Sequence, residues 1–508
     1  MKKKSILYIL AGMAMVAISC NDFLDVNTNP NQPTSATPET VLANALNVTA
    51  GRLVHHEIGA FWVGQWSPSG SVSGFVPEKT YDIQTTFRTG IWTSPYNNLT
   101  DYQYVEQQAL AQGKKSIAGM ARVMKAFNYQ ILVDAYGNVP YSDALKGTVS
   151  IRPKYDDGKA VYDSLIRDLN VAITYLSEPI STENASAGSS DIYFGGNTAK
   201  WLKFAKTLKL RMLVRIQDAP GMQTLVATEM AKYTGDHTEF MTGTDDVKSN
   251  PGYLKTAGKE NQWYETYGFQ PTDSRAGNHD FYCWSDFFIT SLEDLADPRL
   301  PLLAYQNGGA YVGVPFGEGS DTYLYSKISG FGPAFLPTDG GGGTVGASKL
   351  YKRSMVVMTA AESFFLQAEA VEAGLLTSDL SSQELFEAGI KASFDLTASQ
   401  MDVATDLTTE YEDYIASGNE YADWNSSPNK LEAIIIQKWI ALANHNGFEA
   451  WSEWRRTGIP DVPLSTRAQG SQQPIRFLYP LSEYSNNTEN AQAQGTINQF
   501  TSKIFWVQ

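Results

Sequence analysis

The sequence predicts a mostly α-helical protein: a tetratricopeptide-like scaffold of helical pairs, interrupted by an irregular inserted lobe containing short strands. Three observations predict it. Apolar residues recur at helical spacing through 39–234 and again through 350–456. Between those blocks, residues 235–349 hold few periodic runs and many Gly, Pro, Asp and aromatic residues. A structureless loop of that length is unusual, so a lobe with its own short strands is expected. Hydrophobic residues make up 43% of the 508 residues and charged residues 18%, which is a folded composition.

In chain order, residues 1–19 read as an export signal: Lys2, Lys3 and Lys4, an apolar run from Ile6 to Ile18, then Ser19. The run is too short to cross a bilayer core, which takes roughly 20 residues. It ends on Cys20, which marks lipoprotein processing with Cys20 as the lipidated residue. Residues 20–38, rich in Asn, Thr and Pro, form the anchor and tether. The N-terminal scaffold, 39–234, carries candidate helices at 39–56, 94–113, 116–135, 157–177, 198–217 and 221–233. The lobe occupies 235–349. The C-terminal scaffold, 350–456, carries candidates at 355–374, 381–398, 407–416, 428–445 and 447–456, and 457–508 is a second irregular region.

Boundary signals support these helices. Thr198 is placed to cap a helix starting at Ala199, Gly374 to end one, and Gly458-Ile459-Pro460 to stop the last. Trp201, Phe204, Ala205, Leu208 and Met212 share one helix face, with Lys203, Lys206 and Lys209 off it. No clean 34-residue repeat is present, so the helical pairing rests on helix lengths and short connections.

The formal net charge of −15 excludes a nucleic-acid partner, whose phosphates need a basic surface. It also disfavours anionic headgroups and sulfated or uronic glycans. The chain has two cysteines, Cys20 and Cys283, so an exported fold must stand without a disulfide framework. Cys283, within Phe281-Tyr282-Cys283-Trp284, is expected to be a buried, inert thiol.

Motifs for chemistry fail on inspection. His55-His56-Glu57 would need a second His one turn after the first, and position 60 is Ala60. Gly340 to Gly346 has part of a phosphate-loop spacing, but Ala347 stands where Lys is required. Asp245-Asp246 lacks EF-hand spacing. No metal or cofactor is expected. No carboxylate pair is singled out for glycoside hydrolysis, so a surface-anchored glycoside hydrolase stands only as the alternative to a binding protein.

The strongest local signal is aromatic. Residues 261–288 contain Trp263, Tyr264, Tyr267, Phe269, Phe281, Tyr282, Trp284, Phe287 and Phe288, about a third of the segment against 12% overall. Interleaved Asn261, Gln262, Arg275, Asn278 and His279 add donors and acceptors. Flat rings beside polar groups suit an oligosaccharide or an oligopeptide in an open groove. Trp263, Tyr282 and Trp284 are the first ligand-binding candidates. Packing of the lobe is the competing role for every ring.

Six stretches, in order, resemble the SusD/RagB family of surface nutrient-binding lipoproteins. They are Cys20-Asn21-Asp22-Phe23-Leu24-Asp25, Ala126 to Tyr141 with Asp134-Ala135-Tyr136-Gly137-Asn138-Val139-Pro140, and the Trp201–Arg215 helix. Then come Ala361 to Ala370, Gln437 to Leu442 followed by Gly447 to Gly458, and Arg476-Phe477-Leu478-Tyr479-Pro480 with a closing Phe505-Trp506. The second SusD-like branch is the most similar. The resemblance implies a non-catalytic lipoprotein, anchored through lipid to the outer membrane at the cell surface. It implies capture of oligosaccharides or oligopeptides as the lid of a SusC-like TonB-dependent β-barrel transporter. It adds Trp62 and Trp66, on a Gly/Ser-rich connection near where family members place ligand contacts, to the ligand-binding candidates. Within the matched stretches, Trp439, Trp451 and Trp454 read as core packing. Glu362 and Glu369, seven apart on one face, read as partners of arginines, and Asp134 as a satisfier of backbone groups at a helix end.

Overall fold

The computed structural model describes residues 36–338, 348–403 and 405–507. Cys20, the tether before residue 36 and Gly340 to Gly346 lie outside the described residues. The helices are α1 (Pro38–Leu53), α2 (Glu57–Trp62), α3 (Val76–Thr80), α4 (Gly90–Ala111), α5 (Lys115–Tyr136), α6 (Gly158–Leu176), α7 (Thr198–Arg215) and α8 (Gln223–Met230). They continue with α9 (Gln262–Tyr267), α10 (Asp286–Asp294), α11 (Leu300–Leu303), α12 (Ala360–Glu372), α13 (Ser382–Ser399) and α14 (Thr408–Ile415). The last are α15 (Lys430–Leu442), α16 (Gly447–Thr457), α17 (Leu481–Asn486) and α18 (Thr488–Gln492). The strands are β1 (Trp66–Pro68), β2 (Val139–Pro140), β3 (Tyr155–Asp156), β4 (Val247–Ser249), β5 (Tyr282–Trp284) and β6 (Met355–Met358). No described helix is long and apolar enough to cross a membrane.

Sequential helices pack as neighbours: α4 on α5, α5 on α6, α6 on α7, and later α12 on α13. Local pairing of this kind follows from short connections between amphipathic helices. Two helix starts differ from expectation. The Asn197 side chain, not Thr198, caps α7 by accepting from Lys200 N at 3.2 Å. The periodic run from 355 begins as a strand: Met355–Met358 pairs with β4, and Thr359 then caps α12. The β-branched Val356-Val357 pair favours extended backbone there. Gly374 and Gly458 take positive φ just past their helices, as helix-ending glycines do.

The two scaffold halves meet through α7 against α12 and α2 against α16. At the second contact a Cβ on Gly59 would strike the Gly447 carbonyl, so glycine permits the helices to touch backbone to backbone.

Across the first contact runs a buried ion network. Arg211 grips Glu362 through Nε and Nη2, at 2.6 and 2.8 Å. Arg215 meets Asp134 at 2.8 Å, Glu453 at 3.2 Å, and also Glu449. Arg456 joins Glu369 at 2.6 Å and Glu453 at 2.8 Å, and Lys438 reaches Glu453 at 3.0 Å. Arg455 lies 3.6 Å over the Trp451 ring and 4.9 Å from that of Trp506. Five cations thus balance five carboxylates, which is what burial of charge demands. Burial opposes ionisation of Glu453, yet Arg456, Lys438 and Arg215 hold its carboxyl well below the usual range. Glu362 and Glu369 do pair with arginines. Asp134 departs from expectation: its carboxylate serves Arg215 and the Tyr162 hydroxyl, while the helix end is satisfied by Gly137 and by Arg455 and Arg476, which donate to the Asp134 and Tyr136 carbonyls.

Candidate functional site

The lobe is organised by β1 pairing antiparallel with β5, in the register Trp66↔Trp284, Ser67↔Cys283 and Pro68↔Tyr282. The pairing buries Cys283, whose thiol donates to the Ser67 carbonyl at 3.2 Å; burial raises that thiol well above its usual range. It also places the loop after β1 beside the turn before β5.

All five ring candidates are buried. Trp284 is stacked on Phe288 at 4.7 Å, meets Phe331 edge-on at 5.2 Å, and donates its indole N–H to the Leu303 carbonyl at 2.7 Å. Trp66 packs on Phe331 and on His56, both at 4.8 Å. Trp263 packs on Tyr267 at 5.4 Å and Phe331 at 5.6 Å, beneath the Arg353 guanidinium. Tyr282 meets Tyr267 edge-on at 5.0 Å and stacks with Phe61 at 5.9 Å. Trp62 lies elsewhere: it ends α2, faces Trp451 at 5.3 Å and donates to the Glu78 carbonyl at 3.2 Å. Four of the candidates therefore converge on the Phe331–Tyr267 centre of the lobe, and Trp62 belongs to the scaffold core. In this conformation their faces are covered by other rings, so they form the base of a surface and not the surface itself. Trp62 and Trp66 also sit on a helix and a strand, not on a connection.

The partly exposed surface beside that base consists of Phe75, which packs on Phe61 and Tyr282, of Phe281, and of Tyr323 and Tyr325, which pack on the separate Cys283–Val314–Ile328 cluster reached from the other face of β5. Backbone and hydroxyl bonds fix it. Ser69 N donates to Phe281 O at 2.9 Å, and the Ser69 hydroxyl to Asp280 O. Gly70 N donates to Tyr323 O at 2.7 Å, and Tyr325 N to the Ser71 hydroxyl at 3.0 Å. A Cβ on Gly70 would collide with Ser320 O, so glycine allows this close approach. Arg275 lies 5.6 Å from the Tyr325 ring centre and pairs with Asp280 at 2.9 Å; His279 meets Tyr325 edge-on at 5.2 Å. Burial works against it, but hydrogen bonds from His279 and the charge of Arg275 keep the Asp280 carboxyl below its usual range. Phe75 and Asp273 both hold left-handed backbone, with φ of 61° and 65°. A ring-bearing residue there is uncommon, and such strain concentrates at binding loops. Phe75, Tyr323 and Tyr325 were not candidates from the sequence. Their only signal is their setting among Ser and Gly in 69–74 and 317–330.

Among the described residues one group could geometrically hold a metal ion: Asp236, His237 and Asp379. Its carboxylates are already engaged, Asp379 with the His237 backbone and ring and Asp236 with Thr238 N.

Comparison with known proteins places this geometry. No curated protein matches the sequence. Among solved structures, a chitin-binding protein superposes with a TM-score of 0.72 at 23% identity, covering 93% of this chain and 100% of its own. A SusD homologue from Bacteroides fragilis gives 0.73 at 21%, covering 93% and 99%. A chitin-binding SusD homologue from Flavobacterium johnsoniae gives 0.71 at 20%, covering 92% and 98%. At such identities the likeness establishes the helical SusD-like fold. The sequence itself matches a SusD-like family described as "Starch-binding associating with outer membrane" over residues 30–480. The chain therefore belongs to the SusD-like family of nutrient-binding proteins that associate with the outer membrane.

Proposed function

We propose that this protein captures oligosaccharides at the cell surface, without turning them over, and closes a SusC-like TonB-dependent β-barrel transporter as its lid. The observation that carries the reading is the surface around the β1–β5 pairing: four partly exposed rings, Phe75, Phe281, Tyr323 and Tyr325, with polar neighbours, held by backbone bonds from the loop after β1. Sugars present apolar faces and hydroxyl edges, which such a surface matches. Two fold neighbours are chitin-binding, and the family is described as starch-binding, which favours a glycan over an oligopeptide. Each ring contact contributes about 1 kcal/mol. Four, with a few polar bonds, give roughly −4 to −7 kcal/mol, a dissociation constant of about 1 mM to 10 μM. Such affinity permits release into a barrel. Lipidation at Cys20 would hold the lid at the membrane through the segment that follows.

Native purification from outer membranes is the test. A β-barrel partner should copurify, and the pure protein should bind chito- or malto-oligosaccharides with no product formed. Isolation without any partner in several detergents would refute the lid role. Turnover would instead favour the glycoside hydrolase alternative, and tighter binding of peptides would move the nutrient class. Cys20→Ser should release a folded protein that still binds glycan but supports uptake poorly.

A further inference from the structure

A cleft of about 510 Å3 opens where α1, the start of α4 and the lobe helix α9 meet. Its volume lies in the range of small-molecule sites, roughly 300–1,000 Å3. In a chain of net charge −15, no carboxylate lines it among the described residues. Its cations are Arg52 and Arg88, and only Arg88 is neutralised, by Glu57 and by Glu78 at 2.8 Å. Arg52 has no carboxylate partner among the described residues. Its Nη1 donates to the neutral Asn128 side chain at 2.6 Å, and its Nη2 is enclosed with no acceptor. Burial presses the charged form of Arg52, lowering its pKa to about 10.

Three further features point the same way. The N-terminus of the 22-residue α4 contributes Gly90, Ile91 and Ser94 to the cleft, and Thr89 supplies no side-chain cap there. The positive end of that helix dipole therefore faces the space. The Asn47 side-chain oxygen, also on the wall, is enclosed and unpartnered. Gln262 adds an amide from the lobe, and Val48 and Ile91 add apolar surface. A partly buried guanidinium with no carboxylate beside it, a helix start, amides and a hydroxyl beside aliphatic side chains make a site for an anion that also carries hydroxyls.

We propose that this cleft is a second glycan subsite, distinct from the lobe surface, that accepts a sugar bearing a carboxylate, with Arg52 neutralising the carboxylate. The proposal rests on the glycan-capture reading above. Arginine is suited to this role because its planar fork matches a carboxylate and it stays charged when enclosed. The overall acidity of the chain makes neutral sugars the default for the rest of the surface; the cleft is a local exception to that balance.

Calorimetric titration of the full chain with a galacturonic acid trimer, and with its carboxyl-reduced neutral counterpart, tests it. The acidic trimer should bind at least tenfold more tightly, and the preference should shrink in 0.5 M salt. Arg52→Gln should abolish the preference. Val48→Trp, one turn before Arg52 on α1, crowds the cleft from its exposed rim while keeping the guanidinium, and should do the same with an unchanged unfolding midpoint. Neither should alter binding of neutral chito-oligosaccharides at the lobe. Equal affinity for the two trimers, or a preference that survives both variants, would overturn the proposal. A tripeptide with a free C-terminal carboxylate that outcompetes the trimer would overturn the sugar assignment. If neutral oligosaccharides bind and acidic ones do not, only this subsite falls; if no oligosaccharide binds, the capture reading falls with it.

Discussion

The scaffold and the lobe are cohesive for different physical reasons. At the scaffold centre, five cations and five carboxylates lie buried between helices drawn from both ends of the chain. At the lobe centre, Trp66, Trp263 and Trp284 interlock around Phe331. Buried charge is exacting, because every group needs its partner at the right place. Ring contacts are individually weaker and more tolerant of small displacements. The contrast separates two tasks. The ion network sets how the N- and C-terminal helices sit on each other, while the aromatic centre holds the β1–β5 pairing from which the outer loops are hung.

Breaking the network should have the largest effect. Arg215→Met removes the cation shared by Asp134, Glu449 and Glu453, and about 3–5 kcal/mol of stability should be lost in denaturant unfolding. Replacing both members of one pair, Arg211→Met with Glu362→Leu, should cost much less than either change alone. A cost for the double variant equal to the sum of the two single costs would mean that the charges are not coupled.

Acid should act next, at the seam between the regions. Burial, ahead of any neighbouring charge, lowers the pKa of His56 to about 4 and that of His445 to about 3. Both are neutral when folded, whereas the unfolded chain protonates them near pH 6.5. Their contribution is therefore complete above about pH 6.5 and is lost as pH falls toward 4 and then 3. Each should add a slope of up to about 1.4 kcal/mol per pH unit. The unfolding free energy followed from pH 7.5 to 4 should bend near 6.5, and His445→Gln should reduce that slope. A profile flat down to pH 5 would contradict the burial of these rings.

The lobe should yield more gradually. Phe331→Leu removes a ring shared by three tryptophans but keeps an apolar side chain, so a loss of about 1–2 kcal/mol is expected. A loss as large as that of Arg215→Met would erase the contrast. The smallest effect belongs to the exposed scaffold pair Lys391–Asp395, where Lys391→Ala should change stability by at most about 0.5 kcal/mol.

Much of the scaffold was legible because its helices carry their own periodicity and are neighbours in sequence. The apolar face from Trp201 to Met212 and the Gly374 and Gly458 ends could be read locally, but Lys209, expected off that face, is buried against Glu229 because α8 covers the helix's other side. The Met355–Met358 strand could not, since its partner is Val247–Ser249, more than a hundred residues away. The site was less legible. Ring density drew attention to residues 261–288, but density does not say which rings face outward. That depends on the pairing of Trp66 with Trp284, which turns Trp66, Tyr282 and Trp284 inward and brings Tyr323 and Tyr325 to the loop after β1. The Arg52 cleft left no trace in the sequence, because a missing carboxylate partner is a property of space.

The most direct test is calorimetric titration of a chito-oligosaccharide into the wild type, Phe281→Ala and Tyr325→Ala, with each protein's unfolding midpoint measured alongside. Capture on the lobe surface predicts at least a fivefold loss of affinity in each variant, midpoints within a few degrees of wild type, and no sugar product. Unchanged affinity in both variants, or release of shorter sugars by the wild type, would contradict it.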